Sequence, residues 1–354
     1  MPLISILLPV KNTENYLPAC LDSILAQSIS DWELIAVNDH STDDSAAILS
    51  TYAQKDPRIK VLNNTGKGII AALRLAYQHS RGTYITRMDS DDKMAVEKLE
   101  MLLKALSSEP STRLTKPPQL GKSNSLPTNK EATGQLAIGQ VQYFSANQLG
   151  AGYQKYEQWL NQLSARGNNF QEIYKECVIP SPCWMVHWQD LDRCGAFEPN
   201  RYPEDYDLCF RFYQHGLTIV PSSKVLHYWR DYPNRTSRTD AHYSDNRFLA
   251  IKLLYFLQLD YQTERPLVLW GAGKKGKWIA QYLIKQEISF QWVCNNPKKI
   301  GRDIYGQVLS DADQLTTIDK AQFIVAVANE VAQQEIYKVL ESLGVLGKDF
   351  FFFC

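Results

Sequence analysis

The sequence predicts an α/β protein with a mostly parallel sheet, followed by a smaller α/β module. Three observations carry this expectation. Short apolar runs alternate with helix-like ones through the first hundred residues, acidic clusters stand where two of those runs end, and a second strand-then-helix alternation begins after Arg265. Strands that alternate with helices imply right-handed crossovers and parallel pairing.

The totals bound the class. A chain of 354 residues has room for two domains, read here as 1–245 and 262–354 with 246–261 as a connecting helix and linker. Its 44% apolar and 21% charged residues describe a soluble globular protein. The 38 basic residues balance 38 acidic ones, so no global field recruits nucleic acid. Seven cysteines without a C-x-x-C pair argue against a disulfide framework or a zinc site and fit a reducing compartment. The chain opens directly into a strand-like run, and no apolar stretch reaches the ~18 residues of a membrane span. The expectation is a cytoplasmic protein, with peripheral contact at the inner face of the membrane left open.

Leu3 to Val10 is an almost continuous apolar run and reads as a strand buried on both faces. Leu17, Leu21, Ile24 and Leu25 then recur at helical spacing. Trp32 to Val37 is the second strand, ending at Asn38-Asp39-His40-Ser41-Thr42-Asp43-Asp44, where Ser41 or Thr42 can cap the next helix. Ile59 to Leu62 and Ile69 to Tyr77 are the third strand and helix. Thr83 to Thr86 is a fourth strand, and Met94 to Leu106 reads as a helix. The loops after the second and fourth strands therefore share one edge of the sheet, where α/β proteins bind ligands. From Ser107 to about Thr133 the periodicity lapses into a long polar loop. Leu136 to Phe144 resumes the fold as a strand. Tyr153, Tyr156, Trp159 and Leu160 form an aromatic stripe, read as core in preference to a sugar-stacking surface. Ile179 to Met185, punctuated by Pro180 and Pro182, is not helical.

The chemistry concentrates at three places. Arg87-Met88-Asp89-Ser90-Asp91-Asp92 sets three carboxylates in four positions. Carboxylates so close repel one another and call for a hard cation such as Mg²⁺ or Mn²⁺, shared with substrate phosphates. The bland reading is an acidic turn capping the next helix, and the shared sheet edge favours the site. Pro203-Glu204-Asp205-Tyr206-Asp207 opens a helix that Gly216 ends. Acids in a first turn are explained by the helix dipole, or functionally by a general base beside the metal loop. Glu204 and Asp207 are expected to raise the pKa of Asp205. Val225 to Arg230 is followed by Arg235, Ser237, Arg238 and Asp240, a cationic segment suited to clasp a diphosphate. His227 reads as a structural hydrogen-bonder before a metal ligand.

Asn246 to Leu259 is helix-like, and Pro266 to Trp270 is a buried strand running into Gly271-Ala272-Gly273-Lys274-Lys275-Gly276. Strand, G-x-G-x-x-G, helix and the strand Phe290 to Cys294 form a dinucleotide-binding fingerprint, with Gly271, Gly273 and Gly276 as candidate cofactor-binding residues. Asn295 and Asn296 stand where the ribose-binding acid belongs, so glycines that only permit close helix–strand packing remain the alternative. Phe323 to Val327, Glu330 to Leu343 and Phe350 to Phe353 complete a Rossmann-like module as strand, helix and final buried strand.

The Leu7-Leu8-Pro9-Val10-Lys11-Asn12, Val37 to Asp43, Arg87 to Asp92 and Pro203-Glu204-Asp205 motifs, with Asp207-Leu208, resemble the family 2 glycosyltransferases over roughly residues 1 to 240. The resemblance implies the GT-A fold and an inverting, Mg²⁺- or Mn²⁺-assisted transfer from a nucleoside-diphosphate sugar, a UDP-sugar favoured, to a saccharide or lipid-linked acceptor. It implies that Asp39 binds the nucleotide base with Pro9 and Val10, that Asp89 contacts the donor ribose at the metal, and that Asp91 ligates the metal. Arg87, Glu204 and Arg230 join the substrate-binding set, and Asp205 is the catalytic base. Asn38 departs from the aspartate usual in the family. The Trp229-Arg230 to Arg238 segment and the appended GAGKKG module look like a bacterial subgroup that builds surface polysaccharides. The rivals are a nucleotidyltransferase on a similar sheet and a non-catalytic nucleotide-sugar-binding or scaffold protein.

Overall fold

The computed structural model describes residues 1–107, 134–146, 148–235, 238, 248–312, 315 and 320–354. The long polar loop, Ser237, Asp240 and the first residues of the helix expected from Asn246 lie outside the described residues. The chain divides into two compact units, Met1–Gln171 with Val178–Arg235 and Glu172–Cys177 with Thr236–Cys354. The helix assigned to a connector therefore falls within the second unit.

In the first unit, β1 (Ile4–Val10), β2 (Trp32–Asn38), β3 (Ile59–Asn63) and β4 (Tyr84–Arg87) pair in parallel in the order β3-β2-β1-β4. The crossovers are α1 (Leu17–Leu25), α2 (Ser45–Lys55) and α3 (Ile69–Gln78). Every residue of β1 except Pro9 is buried, as its unbroken apolar run requires. Pro9 has no N–H to give a ladder. The β1–β4 ladder stops at Leu7 opposite Arg87, and Leu7 O accepts from Met88 N, so alternation turns Pro9 toward the β4 side just past the ladder's end. The two strands thus part at their carboxyl ends, where the acidic loop begins.

Beyond β4 lie β7 (Trp184–His187), antiparallel to it, then β6 (Gln135–Ser145), β8 (Thr218–Asp231) and β5 (Lys93–Met94), with β6 and β8 parallel. The helices are α4 (Lys98–Ser107), α5 (Ala151–Arg166), α6 (Trp188–Arg193) and α7 (Glu204–Gln214). The aromatic stripe of α5 packs inward: Tyr156 stacks on Trp229, and both Tyr156 and Trp159 flank the main apolar core. Two local expectations are corrected. The run from Met94 is not helical at its start, because Lys93 and Met94 pair with Tyr228 and His227 and Ala95 N donates to Leu226 O at 3.0 Å. A tertiary ladder overrides local propensity there. Neither Ser41 nor Thr42 caps α2; Asp44 is its N-cap, and Asp43 Oδ1 accepts from Ser45 N at 3.0 Å.

The second unit contains α8 (Phe248–Leu259), β9 (Leu267–Trp270), α9 (Lys274–Lys285), β10 (Gln291–Cys294), a hairpin of β11 (Asp303–Ile304) and β12 (Gln307–Val308), β13 (Ser310–Asp311), β14 (Gln322–Val325), α10 (Glu330–Ser342) and β15 (Phe350–Phe352). Its five-stranded sheet is parallel throughout, in the order β13-β10-β9-β14-β15. The last strand is half-buried, not buried, since β15 has a neighbour on one side only. All seven cysteines are free thiols, and no described helix is long and apolar enough to cross a membrane.

Candidate active site

The chain leaves β4 at Arg87, turns through Asp89–Asp92, and is pinned again where β5 meets β8. This turn separates the three carboxylates. Asp92 is fully buried, accepts from Arg230 N at 2.7 Å, and lies 3.0 Å from His227 Nε2. His227 Nδ1 lies 3.3 Å from Lys98 Nζ, which donates to Pro182 O at 2.5 Å. Burial and the Lys98 charge hold the imidazole well below its usual pKa, so it is neutral. A neutral ring satisfies both contacts when Nε2–H donates to Asp92 and Nδ1 accepts from Lys98. His227 is a structural hydrogen-bonder, as its context suggested.

Asp89 and Asp91 remain half-exposed. Asp91 Oδ2 accepts from Tyr232 Oη–H at 2.9 Å, while burial and the Asp92 charge push its pKa up to about 7. Asp89 Oδ1 accepts from Arg87 Nη2 at 2.8 Å. Burial raises the Asp89 carboxyl, but the Arg87 charge and hydrogen bond outweigh it and hold it below the usual range.

Arg87 also reaches α7, where its Nη1 donates to Glu204 Oε1 at 3.1 Å. One buried guanidinium therefore holds the end of β4 and the first turn of α7 together. Arg87 and Glu204, expected among the substrate-binding residues, are both buried and bonded to each other, which makes them a brace between β4 and α7. Asp205 is half-exposed beside them. Burial and the Glu204 charge raise its pKa to about 7, Arg87 opposes and Asp89 adds to the rise. Asp207 is buried and paired with Arg201 at 2.6 Å and Arg211 at 2.8 Å.

Asp39 stands on the same carboxyl edge, its N–H donating to Val10 O at 2.8 Å. Its carboxylate is 3% exposed as a residue and accepts from Asn64 Nδ2 at 2.7 Å and from Gly68 N at 3.1 Å, with Lys11 Nζ at 3.5 Å. It orders the turn before α3 and leaves Lys11 half-exposed above it. Val10 is fully buried, whereas Pro9 is partly open. Arg230 braces the acidic loop: Nε donates to Asp91 O at 2.8 Å, and the guanidinium lies over Tyr16 at 4.8 Å and Phe144 at 4.5 Å.

Sequence reasoning missed Tyr232, Lys98 and the inward turn of Asp92. Tyr232 lies two residues past Arg230 and so shares its strand-face alternation, the one signal available. Among the described residues no set of three or more His, Cys, Asp and Glu side chains forms a closed metal site. Asp89 and Asp91 nevertheless fit a hard cation, as two partly open oxygen donors with one carboxyl raised by like charge.

Residues 5–125 match the model of glycosyl transferase family 2. The stretch contains the Asp39 loop and Asp89 to Asp92. Glycosyltransferase EpsJ of Bacillus subtilis (strain 168) is 35% identical over 149 residues, 38% of this chain and 43% of that protein. Glycosyltransferase GlyA of Streptococcus pneumoniae serotype 4 is 27% identical over 239 residues, 64% of this chain and 30% of that protein. The chain thus spans less than half the length of either relative. The solved structure of S. aureus TarS 1-349 in complex with UDP-GlcNAc superposes with a TM-score of 0.53 at 17% identity, over 74% of this chain and 68% of that one. The likeness shows the fold: the α/β GT-A architecture expected from the motifs is the one observed.

Proposed function

We propose that the first unit is an inverting glycosyltransferase, moving a sugar from a nucleoside-diphosphate sugar to an acceptor hydroxyl. The observation that carries this reading is the brace at Arg87. It joins Asp89, beside Asp91, to Glu204 and Asp205, so an acid pair suited to a cation and an acid suited to proton abstraction share one edge. A single displacement needs one base on the acceptor side and no covalent sugar intermediate. Asp205 supplies that base at its carboxylate, and a pKa near 7 matches the task at neutral pH.

Asp91 and Asp89 would hold Mg²⁺ or Mn²⁺, which supplies Lewis-acid relief of the charge growing on the leaving diphosphate. Arg230 and Tyr232 keep the Asp91 loop in place while that charge develops. Asp39, with Pro9 and the backbone at Val10, forms the nucleotide-base side of the cleft. The donor to test first is a UDP-sugar, the class found with TarS, and the acceptor expected is a saccharide or lipid-linked glycan of surface polysaccharide synthesis. The test is product analysis with purified protein, donor panel, acceptor and Mn²⁺. Release of nucleoside diphosphate with an inverted glycoside supports the reading; pyrophosphate release, or no turnover with any donor, sinks it.

A further inference from the structure

The second unit has a cavity of ≈ 520 Å³ that glycosyl transfer in the first unit leaves without a role. It opens outside the carboxyl ends of β9, β10 and β14, lined by Gly271, Gly273, Asn295, Lys299, Val327 and Ile336. β9 lies between β10, which follows it, and β14, which comes later, so this is the point where the strand order reverses. Ligands of open parallel sheets bind in that crevice, and the volume falls within the roughly 300–1,000 Å³ of small-molecule sites.

The glycines separate packing from binding. Gly271 has φ +119°, and a Cβ on it would meet Ala326 O at 2.8 Å; a Cβ on Gly276 would overlap Gly271 O. Close helix–strand packing accounts for both. It does not account for Gly273, whose φ of −79° suits any residue and whose Cβ would meet nothing within 4 Å. Gly273 is the N-cap of α9 and lines the cavity, and its Cβ position faces open space. Lys274 and Lys275 fill the first turn of α9, which holds no acid. Cations at a helix N-terminus oppose its dipole, and a bound anion reverses that balance. Lys299 places an ammonium on the cavity wall, its Nζ donating to Ala272 O at 2.7 Å.

We propose that this cavity binds a mononucleotide, its phosphate at Gly273 and the start of α9 and its base against the apolar side of α10 at Ala332, Ile336 and Val339. A mononucleotide is favoured over a dinucleotide on two grounds. The described sheet has five strands, β13-β10-β9-β14-β15, one short of the six of the full two-half dinucleotide fold. The acid that grips a dinucleotide's ribose is replaced by Asn295, whose Oδ1 already accepts from Trp270 Nε1 at 2.6 Å.

The test is calorimetric titration of the full chain in EDTA with the mono- and diphosphates of adenosine, guanosine, uridine and cytidine, and with NAD. The wild type should bind at least one mononucleotide, and Gly273→Asp should weaken that binding at least tenfold. Asp is a better N-cap than Gly, so the melting temperature should not fall. Gly273→Ser, also a good cap, gives the same reading should the carboxylate disturb folding. Binding unchanged in a folded Gly273 variant overturns the proposal, as does the absence of any binding that these variants remove. Tighter binding of NAD than of every mononucleotide overturns the choice of ligand.

Discussion

The carboxyl edges of the two sheets make opposite offers. Both are built from parallel strands with helices crossing between them, and both present loops at the same end of the strands. The first unit crowds that edge with Asp89, Asp91, Asp92, Glu204 and Asp205 around buried Arg87, leaving excess negative charge that fits a cation. The second presents glycines, backbone amides and Lys299, with Glu335 the one carboxylate among the described residues that line its cavity. The shared backbone places a ligand; the side chains at the strand ends decide its charge.

The largest effect should come from Asp205→Asn. If Asp205 takes the acceptor proton, removing its basicity should lower kcat by roughly 10²–10⁴-fold. Donor affinity, measured by titration, should stay near the wild-type value if Asp205 acts, as proposed, on the acceptor. A kcat within a few-fold of wild type would strip Asp205 of the role and leave the acidic edge as a binding site only.

Next in size is Arg87→Met. It leaves Asp89 and Glu204 near each other without the cation that now bridges them, and breaking a buried pair from one side costs about 3–5 kcal/mol. Urea unfolding at pH 8 should show a loss of that order. At pH 5 the loss should shrink, because protonation removes part of the uncompensated charge. Equal losses at both pH values would mean that Arg87 acts through packing alone.

A smaller effect follows from the raised carboxyls. Asp91, Asp92 and Asp205 each titrate near 7 when folded, above the ordinary range near 4. Between those limits the folded state binds more protons than the unfolded, so stability must fall as pH rises from about 4 to 7 and level off beyond. Asp192, also raised, adds to this, whereas His227 and His215, both held below the ordinary imidazole range, oppose it over the same interval, and Asp89 with its lowered pKa acts only below it. In EDTA the urea midpoint should drop between pH 5 and pH 8, and Mn²⁺ should recover part of the drop at pH 8. A midpoint that rises over that range would break the picture of a strained acidic edge.

The fold was legible where chemistry is local. Unbroken apolar runs marked β1 and β2, helical spacing marked α1, and acids at strand ends marked the site. What the sequence hid was set by contacts distant in the chain. Met94 looks like the start of a helix and becomes part of a strand because His227 of β8, 133 residues later, supplies the ladder. Arg87 gives no sign in the sequence that Glu204, 117 residues on, accepts its hydrogen bond. Asp92 is the same residue type as Asp91, and only His227 and Arg230, more than 130 residues on, show that it faces inward. The glycine fingerprint was visible at once, yet which glycine serves packing and which leaves space depends on Ala326 and the backbone of Gly271.

The smallest effect is the most discriminating about the first edge. Asn38 stands where an aspartate is usual in the resembling family, so Asn38→Asp tests whether the departure changes the site or only a turn. Its Oδ1 accepts from Ser41 N at 3.1 Å, a bond that a carboxylate would keep and strengthen. Its Nδ2 has only a long contact of 3.4 Å to Asn63 Oδ1, so little is lost there, although two acceptors would then face each other. Stability should change by less than about 0.5 kcal/mol, in line with a substitution away from the core. Donor affinity should change by no more than a few-fold, because neighbouring Asp39 keeps its own partners at Asn64 and Gly68. A tenfold or larger gain in donor affinity would place position 38 in the nucleotide pocket itself and move the centre of that pocket from Asp39 toward the end of β2.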